Sequence, residues 1–282
     1  MGVSSYDITA AAFDPARAQD YELSILTGVD SFAYIVRERA INRLLAYRAH
    51  RFGAEEAGDW PAALERLVLS DDQLRLPRYG SVVLGWETDR MALVPRALFA
   101  ADHRSSYLEQ LTVVGLEDEV RSETFNELDA ELVYCAPRDR IEAVERRLRV
   151  RRTHHYAGGL LTAWALRSRR IGHSSVSADV RGHWMTVAGH RKGNLLFHNT
   201  FHFDGVADAL YYLLLAYRQS GFAADRVPLY LCGEITAGAE LYRQFLRYVE
   251  DIRFCAYPVP PALPPELATL PAHTYFGLLC LG

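Results

Sequence analysis

Residues 175–182 (SVSADVRG), 183–190 (HWMTVAGH) and 194–203 (NLLFHNTFHF), followed by 205–221 (GVADALYYLLLAYRQSG), 227–235 (VPLYLCGEI), 239–251 (AELYRQFLRYVED) and 252–259 (IRFCAYPV), decide the fold. The first three read as strands, and the polar turn Arg191, Lys192, Gly193, Asn194 joins the last two as a hairpin. Asp204 stands at an N-cap position before a stretch whose apolar residues are dense enough for a helix packed on a sheet, and Gly221 stops it. The run 227–235 is continuously apolar, the pattern of a strand covered on both faces. An amphipathic helix and a further strand follow. The order is strand, strand, strand, helix, strand, helix, strand. The proline-rich segment 258–271 is loop or extended chain, because proline has no amide to give a ladder, and 276–282 (FGLLCLG) closes the sequence as a short apolar piece.

The half before this unit is less clearly patterned. Residues 1–20 read as a lead-in, and strand spacing over 22–38 (ELSILTGVDSFAYIVRE) and 41–52 (INRLLAYRAHRF) predicts a meander. Residues 53–60 read as loop, and Asp59 with Pro61 predicts a helix start. A strand at 81–87 (SVVLGWE), a second helix opened by Pro95 and running through 97–111, and a strand at 128–137 feeding a helix over 139–148 complete a mixed sheet with helical cover. The expected division is 1–170 and 171–282.

Composition limits the classes. With 282 residues, half of them apolar and 23% charged, the chain buries a sizeable core, which excludes disorder and collagen. A net charge of -4 announces neither a nucleic-acid nor a membrane partner for the whole chain. Nothing approaches the roughly 18 continuous apolar residues of a membrane span, and residues 1–20 lack a basic start and an apolar h-region, so a cytoplasmic protein is expected. Cys135, Cys232, Cys255 and Cys280 are widely spaced in apolar runs and read as buried free thiols.

The strand and helix order resembles the ribonuclease-H-like βββαβαβ unit of the actin, hexokinase and Hsp70 ATPase superfamily, in which two such units face each other across a cleft. Residues 194–254 resemble, more specifically, the domain-of-unknown-function family numbered 3822. The resemblance rests on Asn199 and Phe201 in a strand, Tyr211 and Tyr212 in a helix, the strand and turn from Pro228 to Ile235, and the helix from Leu241 to Phe254. The element 88–99 (TDRMALVPRALF) extends it, with Ala92 at the family's usual threonine. The resemblance implies an α/β, actin-like two-lobed fold, similar to the actin-like component of type IV pilus assembly, and leaves activity open.

An actin-like ATPase holds phosphates on two glycine-containing hairpin turns, each with an aspartate that orients magnesium or water. In the first half, Gly28 precedes Asp30 and the bulky Phe32 stands where glycine is needed. In the second, Asp179 and Gly182 are one residue too far apart and Arg181 intervenes, a residue expected at the surface. Gly233 is followed by Glu234, whose carboxylate would face a nucleotide's own charge. Asp30, Asp179, Arg181, Gly182 and Gly233 are therefore the candidate nucleotide residues if ATP and magnesium bind, but all three motifs are degraded and no catalytic residue is assigned. The expectation is a non-catalytic interaction or scaffold module with a protein partner. The alternatives are a working ATP-binding protein or kinase and an RNA-associated factor.

Other constellations are weaker. His198 and His202 share a strand face, yet no cysteine or carboxylate lies at a ligand spacing, so no metal is expected. The glycine elbow of a serine hydrolase is missing around HSSVS. From Arg138 to Arg170 there are ten arginines and three acids, a surplus of seven that leaves about -11 on the rest of the chain. This belt is the route to the RNA alternative, although a solvated helix face is its ordinary reading. Tyr242 and Tyr248 are candidate interface aromatics.

Overall fold

The computed structural model describes residues 6–53, 56, 58–76 and 78–282; residues 1–5 of the expected lead-in, and residues 54, 55 and 57 of the expected loop, lie outside them. In chain order the first half contains β1 (Tyr6–Thr9), β2 (Tyr21–Thr27), β3 (Ser31–Glu38), β4 (Arg43–Arg51), α1 (Trp60–Ser70) and β5 (Ser81–Trp86). Next come β6 (Met91–Pro95), α2 (Arg104–Glu109), β7 (Asp118–Phe125), β8 (Ala130–Pro137), α3 (Arg138–Leu148), β9 (Arg152–His155) and α4 (Tyr156–Ile171). The second half contains β10 (Ser174–Arg181), β11 (Trp184–Arg191), β12 (Asn194–His202), α5 (Val206–Gln219), β13 (Leu229–Gly233), α6 (Glu240–Phe245), β14 (Ile252–Phe254) and the short helix α7 (Phe276–Leu279).

The two main sheets repeat one topology. The second has the order β12-β11-β10-β13-β14, with an antiparallel meander and two parallel additions. The first has β4-β3-β2-β5-β9 in the same sense, with β1 added antiparallel outside β4. Both are βββαβαβ units. The first was hard to read because residues 91–137 interrupt it between β5 and α3, folding into a third sheet, β6-β8-β7, that carries α2.

Local differences have local causes. The helix expected through 97–111 is α-helical only over Arg104–Glu109. The Tyr107 hydroxyl donates to the Leu98 carbonyl (2.7 Å) and accepts from the Ala100 amide (2.9 Å), which holds the preceding chain in single 3-10 turns instead. The N-cap of α5 is Gly205, and the Asp204 amide donates to Asp208. The 191–194 hairpin turns with positive φ at both Lys192 (51°) and Gly193 (90°), which matches the twist of the strands it joins.

The larger apolar cluster joins the first sheet to α1, α3 and α4, takes in Ala188, Tyr230 and Cys232 from the second, and receives Leu267, Leu270, Phe276, Leu278, Leu279 and Leu281. A second cluster packs α5 and α6 on the opposite face of the second sheet. Tyr242 belongs there, stacked on Phe254 at 5.5 Å, while Tyr248 is about half exposed. All four cysteines are free thiols. Among the described residues no helix is long and apolar enough to cross a membrane.

Candidate functional site

The parallel strands β2, β5, β10 and β13 end at one junction between the sheets, where the β2–β3 and β10–β11 hairpins face each other. The first hairpin is closed by the Gly28 amide donating to the Ser31 carbonyl (3.0 Å), with Asp30 at its tip. The second turns at Gly182, whose φ is +53°. Arg51, opposite Ser31 at the end of β4, lies between them. Its guanidinium reaches Asp30 Oδ2 at 3.2 Å and Glu234 Oε2 at 2.9 Å, and Glu234 also accepts from the Gly182 amide at 3.1 Å. A Cβ on Gly182 would come within 2.6 Å of Arg51 Nη1, so glycine here admits an arginine from the first sheet.

Behind this contact Arg181 is buried, contrary to its expected surface position. Its Nε donates to Asp179 Oδ2 (3.0 Å) and to the Tyr156 hydroxyl (2.9 Å), and Tyr156 donates to the same carboxylate (3.1 Å). Burial works against its charge, but Asp179, Tyr156, Glu87 and Glu234 hold it protonated, well above the ordinary arginine range. Burial pushes the Tyr156 phenol well up. Gly233 has φ +88°, and a Cβ there would stand 2.2 Å from the Val180 carbonyl oxygen. Its glycine thus allows β13 to cross close to β10, and the Glu234 amide donates to that same carbonyl at 2.6 Å.

Sequence reasoning brought Asp30, Asp179, Arg181, Gly182 and Gly233 to this junction but missed Arg51, Glu87 and Tyr156. Glu87 follows β5, its amide donating to the Thr27 carbonyl (2.8 Å) beside Gly28. Its position past a parallel strand's carboxyl end was the available signal. Burial raises its pKa to about 7; Arg181 opposes the rise, while Asp179, Glu234 and Asp30 add to it. No spacing links Arg51 to Gly182.

Chemically, Arg51 and Arg181 face Asp30, Asp179, Glu234 and Glu87, and Arg140 donates to the Val29 carbonyl of the first hairpin (3.3 Å), so the charges sum to 0 with Glu87 protonated and -1 with it ionised. A cavity on the β3–β4 side of the junction, lined by Phe32, Ala33, His50, Arg51, Arg181 and Glu234, has a volume of about 20 Å³, room for about one water. These residues do not fit a magnesium triphosphate, because Arg51 and Glu234 bridge the two hairpins at hydrogen-bond distance and occupy the space between them.

The other candidates are dispersed. Among the described residues no group of three or more His, Cys, Asp or Glu could hold a metal ion. His198 is half-buried, and desolvation lowers its pKa to about 3, whereas His202 is half exposed and packs edge-on against Trp184. The arginine belt is not one solvated face. Arg167 turns inward, donating to Ser177 and Cys255 and lying 3.8 Å over the Tyr230 ring, and Arg140 sits over Trp60.

Paired βββαβαβ units that meet at two facing hairpins define a protein of the actin-like ATPase fold. The chain belongs to the family described as protein of unknown function (DUF3822), whose model matches residues 10–252. A Bacteroides thetaiotaomicron VPI-5482 protein with actin-like ATPase fold and unknown function superposes with a TM-score of 0.77 at 17% identity, covering 87% of this chain and 94% of that one. PilM, in the PilM-PilN type IV pilus biogenesis complex, superposes with a TM-score of 0.58 at 13% identity, covering 92% and 97%. Comparison with curated proteins gives no match.

Proposed function

We propose that this chain is a non-catalytic member of the actin-like fold, a cytoplasmic module that works by binding other proteins. The observation that carries the reading is Arg51, which joins the two hairpins through Asp30, Glu234 and close contact with Gly182. The space in which an ATPase would seat phosphates against bare main chain is filled by an internal ion-pair network. A core this extensive survives the loss of turnover, and the outer surfaces remain free to take partners. The fold also accommodates a protein partner elsewhere, since PilM is described in a complex with PilN.

The test is thermal denaturation with and without millimolar ATP and magnesium. A ligand that binds only the native state must raise the midpoint. The expected result is no change; a rise of several degrees, abolished by Gly182→Val, would instead establish the ATP-binding alternative.

A further inference from the structure

The arginine surplus finds a use on the side of the first sheet away from the hairpins. There the C-terminal ends of α1 and α3 and the beginning of β5 enclose a groove of about 640 Å³. Its floor is apolar: Val68, Leu74, Val82 and Leu148 are buried, and Leu69 stands 53% exposed at its edge. Its walls carry Arg75, Arg78, Arg147, Arg149 and Arg151, with no acidic residue among those lining it. Asp72 pairs with Arg75. Among the described residues Arg78, Arg147 and Arg151 form no ion pair.

Two helix ends would each favour one or two cations near their last carbonyls; five arginines around one groove exceed that need.

We propose that this groove binds an acidic segment of a partner protein in which carboxylates alternate with apolar side chains. Arginine forks match carboxylates in geometry as well as charge, and the exposed Leu69 and half-buried Leu76, rather than the floor buried beneath them, take the apolar residues between the carboxylates. A protein segment is favoured over single-stranded nucleic acid because the latter stacks its bases on aromatic platforms. Among the described residues the groove has one aromatic, Tyr79, which is half-buried with its hydroxyl donating to the Gln73 carbonyl. The proposal rests on the interaction reading above and gives its partner a chemistry.

The probe is a fluorescein-labelled synthetic peptide of repeated Glu-Glu-Leu, titrated with the full chain and followed by anisotropy at low and high salt. Expected are saturable binding that weakens with salt, no binding of a Lys-Lys-Leu analogue, and a loss of ~10-fold or more in Arg147→Glu/Arg151→Glu, with Arg226→Glu on a distant loop unchanged. Because all three arginines are exposed, matching melting curves for the variants exclude misfolding as the cause. Absence of saturable peptide binding, or equal binding by the double variant, overturns the proposal. So does tighter binding of polyuridylate RNA that the double variant abolishes. If the peptide binds but ATP also stabilises the protein, the non-catalytic reading falls and the groove stands. If neither binds, the groove falls and the non-catalytic reading stands.

Discussion

Arg51→Ala tests the junction most directly. The Arg51 side chain is 18% exposed and its partners Glu234 and Asp30 are 31% and 43% exposed, so the network is partly screened. A desolvated hydrogen bond to a charged group contributes about 1.5–3 kcal/mol, and an exposed ion pair about 0–1 kcal/mol. The Glu234 contact falls toward the lower end of the first range and the Asp30 contact within the second. Truncation also leaves Arg181 alone against four carboxylates. The expected loss is about 2 kcal/mol, or roughly 3–4 °C in melting temperature for a chain of this size. Scanning calorimetry at pH 7 and low salt, checked by the urea midpoint, measures it. Because the variant makes the junction more acidic, it should gain no response to ATP and magnesium. A midpoint within about 1 °C of the parent would refute the claim that this arginine clamps the hairpins, and a new stabilisation by ATP would refute the claim that the junction takes no nucleotide.

Gly233→Ala should cost about 3 kcal/mol or more in urea denaturation, since it forces a side chain to positive φ and against the Val180 carbonyl. Glu87 has a folded-state pKa of about 7, above its ordinary 4.5, so its contribution to stability is present below about pH 4.5 and is lost as pH rises through 7. Glu87→Gln should therefore match the parent near pH 4.5 and exceed it by ~1–3 kcal/mol at pH 8, and equal pH profiles would disprove that assignment. Burial lowers His155 to about 4, and His190 and His198 to about 3. Their neutral forms stabilise the fold above pH 6.5, and that contribution drains away as pH falls toward 3–4. His190 has no hydrogen-bond partner for either ring nitrogen among the described residues, so His190→Leu should cost little at pH 8 and flatten the acid loss in a pH series of melting curves.

The second βββαβαβ unit was legible almost element by element because nothing is inserted in it and its strands are apolar on at least one face. The first was blurred by residues 91–137. There β7 (DEVRSETF) is half-buried along nearly its whole length and carries too little alternation to announce a strand, and β9 (RTHH) is short and polar. Of the junction, Asp30 and the glycines could be found because tight turns and close backbone approach call for them locally, and Asp179 because it stands just before the Gly182 turn. Arg51 could not, since its partners Asp30 and Glu234 belong to different sheets. Arg181 was misplaced because a residue type's usual surface preference knows nothing of Asp179 and Tyr156, which both accept from its Nε inside the fold.

The short helix α7 has a kinetic consequence. Phe276, Leu278, Leu279 and Leu281 complete the apolar cluster around Leu23, Ile25 and Val83, and they leave the ribosome after every strand they cover. The earlier-made sheet must wait, with part of its hydrophobic face uncovered, until translation has passed the whole of the later one. A nascent chain stalled before residue 276 should therefore be a ready client for chaperones.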